Sequence, residues 1–307
     1  MSLAILCSGQ GAQHPAMLDM IANHPAASEI IRMGEAELGF KLREVVAQRD
    51  KIFLNSIAQP LICLTQLALW TALKQSSPKP VVFCGYSVGE LGTYGCAGAL
   101  DAAELARIAA ARAALMDQAA ATTHGGLLAV QGLRRDEVVH LCEGNRAWVA
   151  IAIGAEEFVV GGEDAALEKL GKAFSERGAK PTRLKVGLAS HTPLLSVAVP
   201  PFRMELIASS LTSPATPVVA GIDAAWVMRR EVAIEKLALQ LDRTIEWGSC
   251  LDILYERGCR VFLELGPGRA LARMTQARFD DVDARSMEDF RSLGGASSWL
   301  AKHFPGS

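Results

Sequence analysis

Short apolar runs that end in glycine turns alternate with longer helical stretches in the outer parts of the chain. The predicted strands are Leu3–Cys7, Val81–Cys84 and Arg260–Leu265. The predicted helices are 61–73, 101–120 and 269–278. Because strand and helix alternate, we expect a parallel sheet with helices on both faces.

The pattern changes after the glycine pair at 125–126. Strands are predicted over 127–130, 148–153, 158–161 and 182–186, with helices over 135–143 and 165–177. This βαββαβ order is typical of a ferredoxin-like unit. We therefore predict an α/β fold: a parallel-sheet, hydrolase-like large subdomain of residues 1–124 and 191–307, and an inserted ferredoxin-like small subdomain of residues 125–190. Past residue 280 the pattern predicts no clear element.

The segment Gly85-Tyr86-Ser87-Val88-Gly89 follows the predicted strand Val81–Cys84 directly. Small residues at such a strand-to-helix turn let the backbone bend sharply and present the serine hydroxyl above the sheet, as in a nucleophile elbow. The N-terminus of the next helix would favour a negative charge there. The same spacing also occurs by chance in ordinary glycine turns, so the motif alone is a weak signal.

Composition narrows the classes of function. The 307 residues are 50% hydrophobic and 21% charged with a net charge of -2, which argues against a general nucleic-acid surface. We expect no membrane span, because no stretch comes near about eighteen uncharged apolar residues, and no signal peptide. Seven dispersed cysteines predict buried thiols in the cytoplasm, without a metal site.

A serine nucleophile needs a base, and six histidines are available. His191 lies where the insertion returns to the large subdomain, a position suited to closing a cleft, although a satisfied core histidine is an equal alternative. His14 stays a candidate because it lies beside the first glycine loop, Gly9-Gln10-Gly11, which follows the first predicted strand. His140 and His303 are predicted to be structural or solvated, His124 to be a hinge or loop residue, and His24 to lie in a loop before a proline.

Arg112 lies on the apolar face of the predicted helix 101–120. A buried guanidinium needs a partner, either an internal carboxylate or the carboxylate of a substrate held by two hydrogen bonds. Glu90 is expected to stabilise the first turn of the helix after the elbow. Gln10 lies between two glycines and is either an ordinary loop amide or a backbone donor. In the second case the glycines let its backbone approach a ligand closely, and its N–H would lie opposite the N–H of Val88.

Taken together, these segments resemble the malonyl-CoA:acyl carrier protein transacylase family. They occur in the family's order and spacing and cover nearly the full chain, so the set is far more specific than the elbow alone. The matching segments are Gly9-Gln10-Gly11-Ala12-Gln13, Gly85 to Glu90, Arg112 with Met116, Ser190 to Leu194, Gln240-Leu241 ahead of Trp247, and Glu264 to Gly268.

The resemblance implies a role for each of five residues. Ser87 would be the acylated nucleophile and His191 its general base. The backbone N–H groups of Gln10 and Val88 would form the oxyanion hole, and Arg112 would bind the free carboxylate of a malonyl group. No bound cofactor is expected, since malonyl-CoA is a substrate.

The resemblance also implies that the backbone carbonyl of Gln240 orients the histidine, which gives a dyad rather than a triad. The chain departs from the family pattern at Tyr86, where histidine is usual, and at Ser8, where proline is usual. Both departures favour a specialised branch, the epsilon subunit of malonate decarboxylase. The partners that the resemblance implies are an acyl carrier protein and, in that branch, other malonate decarboxylase subunits. The alternative within the family is the transacylase of fatty-acid or polyketide synthesis.

Two interpretations from outside the family stay open at this point. A hydrolase would share the elbow but needs a histidine late in the chain, and His303 is the only late histidine. A non-catalytic subunit that docks a carrier protein could also retain the fold.

Overall fold

Two β-sheets organise the computed structural model, which describes residues 1–48, 50–184 and 186–305. The strands are β1 (Ser2–Cys7), β2 (Val82–Gly85), β3 (Gly125–Gln131), β4 (Ala147–Gly154), β5 (Glu157–Glu163), β6 (Lys180–Arg183), β7 (Val218–Val219), β8 (Trp226–Val227), β9 (Ile245–Glu246), β10 (Cys259–Leu265) and β11 (Asp283–Ser286).

The α-helices are α1 (Pro25–Leu38), α2 (Leu42–Val46), α3 (Asn55–Leu73), α4 (Val88–Cys96), α5 (Ala102–Ala120), α6 (Arg135–Cys142), α7 (Asp164–Glu176), α8 (Val199–Ala208), α9 (Arg230–Leu239), α10 (Trp247–Glu256), α11 (Ala270–Arg278) and α12 (Leu293–His303). Short 3-10 helices lie at Pro15–Ile21, Lys51–Phe53, Pro193–Ala198 and Met287–Asp289.

The larger sheet has the strand order β11-β10-β1-β2-β7-β8. Its pairings are parallel except for β8, which runs antiparallel to β7 at the edge. The parallel sheet predicted for the outer parts of the chain is therefore confirmed. The segment after residue 280, where no clear element was predicted, forms β11 against β10 and then α12.

The smaller sheet has the order β6-β3-β5-β4-β9. Its first four strands are antiparallel and, with α6 and α7, form the predicted ferredoxin-like unit. The fifth strand, β9, comes from much later in the chain and pairs in parallel with β4. The strand predicted over 182–186 has the wrong bounds: β6 covers Lys180–Arg183, and residue 185 lies outside the described part of the chain.

Helix α3 is the most deeply buried long helix of the large subdomain. It begins at Asn55, six residues before the predicted start, because polar residues and Pro60 obscure its first turns in the sequence. It is also long and apolar enough to cross a membrane by length and composition, contrary to our expectation of no such stretch. However, 78% of that window is buried inside the protein, as in a core helix.

Two glycines allow the chain to turn tightly between β2 and α4. A Cβ atom at Gly85 would lie 2.2 Å from the backbone nitrogen of Glu90. A Cβ atom at Gly89 would lie 2.2 Å from the carbonyl oxygen of Cys7, at the end of β1. The start of α4 therefore packs closely against both strands, which fixes the position of the three residues between these glycines, Tyr86, Ser87 and Val88.

We predict that Gly89→Ala destabilises the protein by about 1–3 kcal/mol, because the added methyl group meets backbone atoms that cannot rotate away. Urea-induced unfolding followed by circular dichroism measures the change. Gly294→Ala is the matched control: it lies in α12, where the nearest atom to a new Cβ is 3.8 Å away. That control should leave stability unchanged or raise it by up to ~1 kcal/mol. Equal effects of the two substitutions would contradict the steric argument.

Candidate active site

Ser87 lies at the N-terminus of α4 in a backbone conformation that is unusual for a residue with a side chain. Its φ and ψ are 55° and -120°, and it is the residue that precedes the first turn of the helix. Such strained conformations persist where the surrounding structure enforces them, here the packing of Gly85 and Gly89. The sharp turn predicted from the sequence is present.

The Ser87 hydroxyl is hydrogen-bonded to a histidine that is distant in sequence. Its Oγ lies 2.8 Å from Nε2 of His191, and the His191 Nδ1 lies 2.6 Å from the backbone carbonyl of Gln240. Because a carbonyl oxygen only accepts, Nδ1 carries the proton and Nε2 is free to accept the proton of the serine. The arrangement is a dyad with a carbonyl in the place of a carboxylate.

His191 is almost completely buried, at 1% exposure. Burial, together with the positive charge of Arg112, lowers the pKa of His191 to about 3, against a smaller opposite effect of the Gln240 carbonyl. The imidazole is therefore neutral throughout the range in which an ordinary histidine titrates. A neutral imidazole is the form that can act as a base.

Arg112 is buried at 1% exposure and is held by two glutamine side chains. Its Nη1 donates to Oε1 of Gln59 at 2.8 Å, and its Nη2 donates to Oε1 of Gln240 at 3.0 Å. Among the residues that the structure describes, no carboxylate forms an ion pair with this guanidinium. Burial lowers the pKa of Arg112 to about 10. Because its hydrogen-bond partners are neutral amides, the Arg112 guanidinium can bind an anionic ligand.

Glu90 adds to the expectation from the sequence. It lies in the first turn of α4 as expected, but its side chain is fully buried and makes long-range hydrogen bonds. Oε2 accepts hydrogen bonds from Nε2 of Gln240 at 2.5 Å and from the backbone N–H of Gly221 at 2.9 Å. Burial raises the pKa of Glu90 to about 7. Its carboxyl thus belongs to the hydrogen-bond network behind the dyad.

The first glycine loop passes close to the elbow. A Cβ atom at Gly9 would lie 2.9 Å from the Tyr86 carbonyl and 3.7 Å from the Ser87 Cβ. The side chain of the next residue, Gln10, is turned away and donates to Asn55 Oδ1 at 2.9 Å. The structure thus brings the Gln10 loop close to Ser87, which directly precedes Val88 at the N-terminus of α4.

A cleft of about 460 Å³ opens beside this loop. Its walls are the Gln10 loop, the start of α3, the end of α5 and residues 186–188, so it lies between the two subdomains. His124 lines the cleft in the connection to the small subdomain, as its predicted hinge position suggested.

The remaining histidines are engaged elsewhere. His14 Nε2 lies 2.5 Å from Glu288 Oε1, and His303 Nε2 lies 2.9 Å from Asp283 Oδ2. Because His191 occupies the position of the base, the hydrolase interpretation that required His303 has no support from the geometry. His140 pairs with Glu143, and His24 accepts the Ala27 N–H at the start of α1.

Tyr86, which replaces the histidine usual in the resembling family, packs its ring edge-on against Trp247 at a centroid distance of 5.2 Å. Ser8, which replaces the usual proline, is buried, and its carbonyl accepts from Gln66 Nε2 at 2.7 Å. Neither side chain contributes an atom to the dyad. The seven cysteines are buried free thiols, as predicted.

Sequence reasoning missed Gln59 and the side chain of Gln240. Gln59 lies in α3 with 0% exposure, and its Nε2 contacts the sulfur of Met116 at 3.5 Å. A glutamine among the apolar residues of a mostly buried helix was the available signal, since buried polar groups require partners.

The fold and the dyad define a class of protein: α/β proteins with a serine nucleophile elbow and a ferredoxin-like insertion. The acyl transferase domain family matches residues 5–296 of this chain, and the chain belongs to that family.

Relatives agree in length as well as in fold. The chain is 28% identical to the malonyl CoA-acyl carrier protein transacylase of Salmonella typhimurium, over 95% of this chain and 98% of that protein. A malonyl-transacylase solved in complex with its type II PKS acyl-carrier protein superposes with a TM-score of 0.92 at 26% identity, covering 97% and 99% of the two chains. The corresponding enzyme of Mycobacterium tuberculosis gives 0.90 at 27% identity, covering 97% and 99%.

Because the pKa of His191 is lowered to about 3, we predict that the reactivity of Ser87 is insensitive to pH between about 5 and 8. The rate at which a sulfonyl fluoride modifies Ser87, followed by intact-protein mass, measures this directly. Ser87→Ala should give no adduct and serves as the control. A loss of reactivity centred near pH 6.5, the usual histidine range, would show that the imidazole is not neutral as described.

Proposed function

We propose that this protein transfers a malonyl group from malonyl-CoA to the thiol of an acyl carrier protein. The observation that carries the proposal is a Ser87–His191 dyad beside a buried Arg112 whose hydrogen-bond partners are neutral amides. A nucleophile beside an unneutralised cation suits an acyl group that ends in a carboxylate. The Salmonella relative, which carries the name of this activity, supports the same substrate class.

The reaction proceeds in two half-reactions. His191 Nε2 takes the Ser87 proton as Oγ attacks the thioester carbon, and the oxyanion is stabilised by the backbone N–H groups of Gln10 and Val88. The carbon–sulfur bond then breaks, CoA leaves with the proton from His191, and malonyl-Ser87 remains. In the second half-reaction, the carrier thiol gives its proton to His191, attacks the ester and releases the Ser87 hydroxyl. The kinetics are ping-pong.

The cleft beside Gln10 is the proposed path for the thioester arm of both substrates. It lies between the subdomains and reaches the loop that borders Ser87. CoA and the carrier's prosthetic group share this arm, so one cleft serves both half-reactions. Both are substrates, and no bound cofactor takes part in the proposed reaction, which we place in the cytoplasm.

The second part of the proposal concerns which carrier protein accepts the malonyl group. The relatives support a carrier protein of fatty-acid or polyketide synthesis, since the relative solved with a carrier is paired with one of a type II PKS. They give no support to the malonate decarboxylase branch that Tyr86 and Ser8 favoured. We therefore propose an ordinary phosphopantetheine carrier as the acceptor, in place of that earlier interpretation.

Incubation of the protein with malonyl-CoA should produce a covalent malonyl adduct on Ser87, detected by intact-protein mass and peptide mapping. Addition of a phosphopantetheine-bearing carrier protein should remove the adduct and yield malonyl-carrier. Ser87→Ala should form none. Absence of an adduct in the wild-type protein would favour a non-catalytic docking subunit. Transfer only to a malonate decarboxylase carrier would restore that branch.

Arg112→Ala should lower kcat/KM for malonyl-CoA by about 10–150-fold, the value of one hydrogen bond to a charged group at about 1.5–3 kcal/mol. The acetyl-CoA reaction should be much less affected, because acetyl has no carboxylate to bind. Arg107→Ala is the matched control, since Arg107 lies on the same helix but pairs with Glu104 and Glu205 at the surface. A similar loss for both substrates in Arg112→Ala would refute the carboxylate-binding role.

A further inference from the structure

Glu90 is a buried carboxyl that the mechanism does not use. It has 0% exposure, and its side chain makes no hydrogen bond to either side chain of the dyad but directs Oε2 at the side-chain nitrogen of Gln240. Gln240 in turn directs its side-chain oxygen at Arg112 and its backbone carbonyl at His191. A chain of hydrogen bonds therefore connects Glu90 to the cation of the site through one amide.

The two ends of that amide are not interchangeable. An amide group offers an acceptor at Oε1 and donors at Nε2, and a half-turn about its last bond exchanges them. Arg112 can only donate, so it requires Oε1 of Gln240 on its side. With the group turned over, two sets of N–H donors would face each other, and Arg112 would lose one of its two fixing contacts.

Glu90 supplies the acceptor that holds the amide in the required orientation. Oε2 already accepts from the backbone N–H of Gly221, which fixes the carboxyl itself between α4 and the segment after β7. Across the site, Gln59 makes the matching arrangement: its oxygen accepts from Arg112 while its nitrogen contacts Met116. Both amides thus present oxygen to the guanidinium.

We propose that Glu90 is a positioning residue for acyl-group selection: by accepting from Gln240 Nε2, it keeps the Gln240 oxygen on Arg112 and so holds the guanidinium where it binds the carboxylate of the acyl group. The proposal rests on the proposed function for its substrate. Glu90 acts on Arg112 through the side chain of Gln240, whereas the carbonyl on His191 belongs to the backbone. Loss of Glu90 should therefore affect selection among acyl groups more than nucleophilic attack.

The test compares kcat/KM for malonyl-CoA and acetyl-CoA, each measured by the rate of Ser87 acylation. Glu90→Leu removes the acceptor and should reduce the malonyl-to-acetyl ratio about tenfold, the usual effect of one unmade buried hydrogen bond. Glu90→Gln can keep an oxygen at the Oε2 position and should retain most of the ratio. The ratio is unaffected by the fraction of protein that is folded.

Glu264 is the matched control because it is also a fully buried carboxyl, and it bonds the backbone N–H of Ala272 in α11 instead of the site. Glu264→Leu should leave the ratio unchanged even if the protein is less stable. Equal losses for both substrates in Glu90→Leu, or a ratio shift of similar size in Glu264→Leu, would overturn the proposal.

A second variant keeps the proposal testable if Glu90→Leu does not fold. Gln240→Leu removes the side-chain amide but keeps the carbonyl on His191, so it should reduce the ratio to a similar extent. An unchanged ratio in Gln240→Leu would overturn the relay. If both variants fold, their effects should not add in the double variant, since they break one chain of contacts. Arg112→Ala distinguishes the proposed function from the role of Glu90. If the malonyl-to-acetyl ratio falls in Arg112→Ala but not in Glu90→Leu, the proposed function stands and the role of Glu90 is rejected.

Discussion

The hydrogen bond from His191 Nδ1 to the Gln240 carbonyl is the contact on which the rest of the site depends. It selects the tautomer that leaves Nε2 facing Ser87, at 2.6 Å on one side of the ring and 2.8 Å on the other. Gln240 also accepts a hydrogen bond from Arg112 through its side-chain oxygen. One residue at the end of α9 therefore sets the geometry of both the base and the cation, and a displacement of that residue would disturb both together.

Burial of a positive charge beside the dyad has two consequences that reinforce each other. Arg112 is fully buried among neutral groups, so its charge is not neutralised within the protein and stays available to an anion. The same charge, with burial, lowers the pKa of His191, which keeps the imidazole neutral. A carboxylate paired directly with Arg112 would weaken both effects. The fold instead places Glu90 behind an amide, where burial raises its pKa to about 7.

The sequence allowed prediction of those features that depend on local pattern. Apolar periodicity predicts the parallel sheet and the ferredoxin-like insertion. The turn at Ser87 follows from two glycines at positions where the neighbouring backbone leaves no room for a side chain. The sequence did not reveal the partners of Arg112, because Gln59 and Gln240 are brought there by tertiary packing from distant segments. For Glu90 the sequence predicted only the local role of a first-turn acid, and its long-range side-chain hydrogen bonds to Gln240 and Gly221 were not predicted for the same reason.

Two residues of the active site, His191 and Gln240, lie close to segments that connect the small subdomain to the large one. His191 follows the return of the insertion, with φ of 62°. Gln240 is soon followed by β9, which leaves the large subdomain to pair with β4 of the smaller sheet. An ion pair of 2.6 Å between Arg135 of α6 and Glu246 of β9 reinforces that attachment. The base and its acceptor thus lie on two different segments next to the small subdomain. A backbone hydrogen bond of 2.9 Å from the His191 N–H to the Leu241 carbonyl joins these segments directly and sets the distance between them.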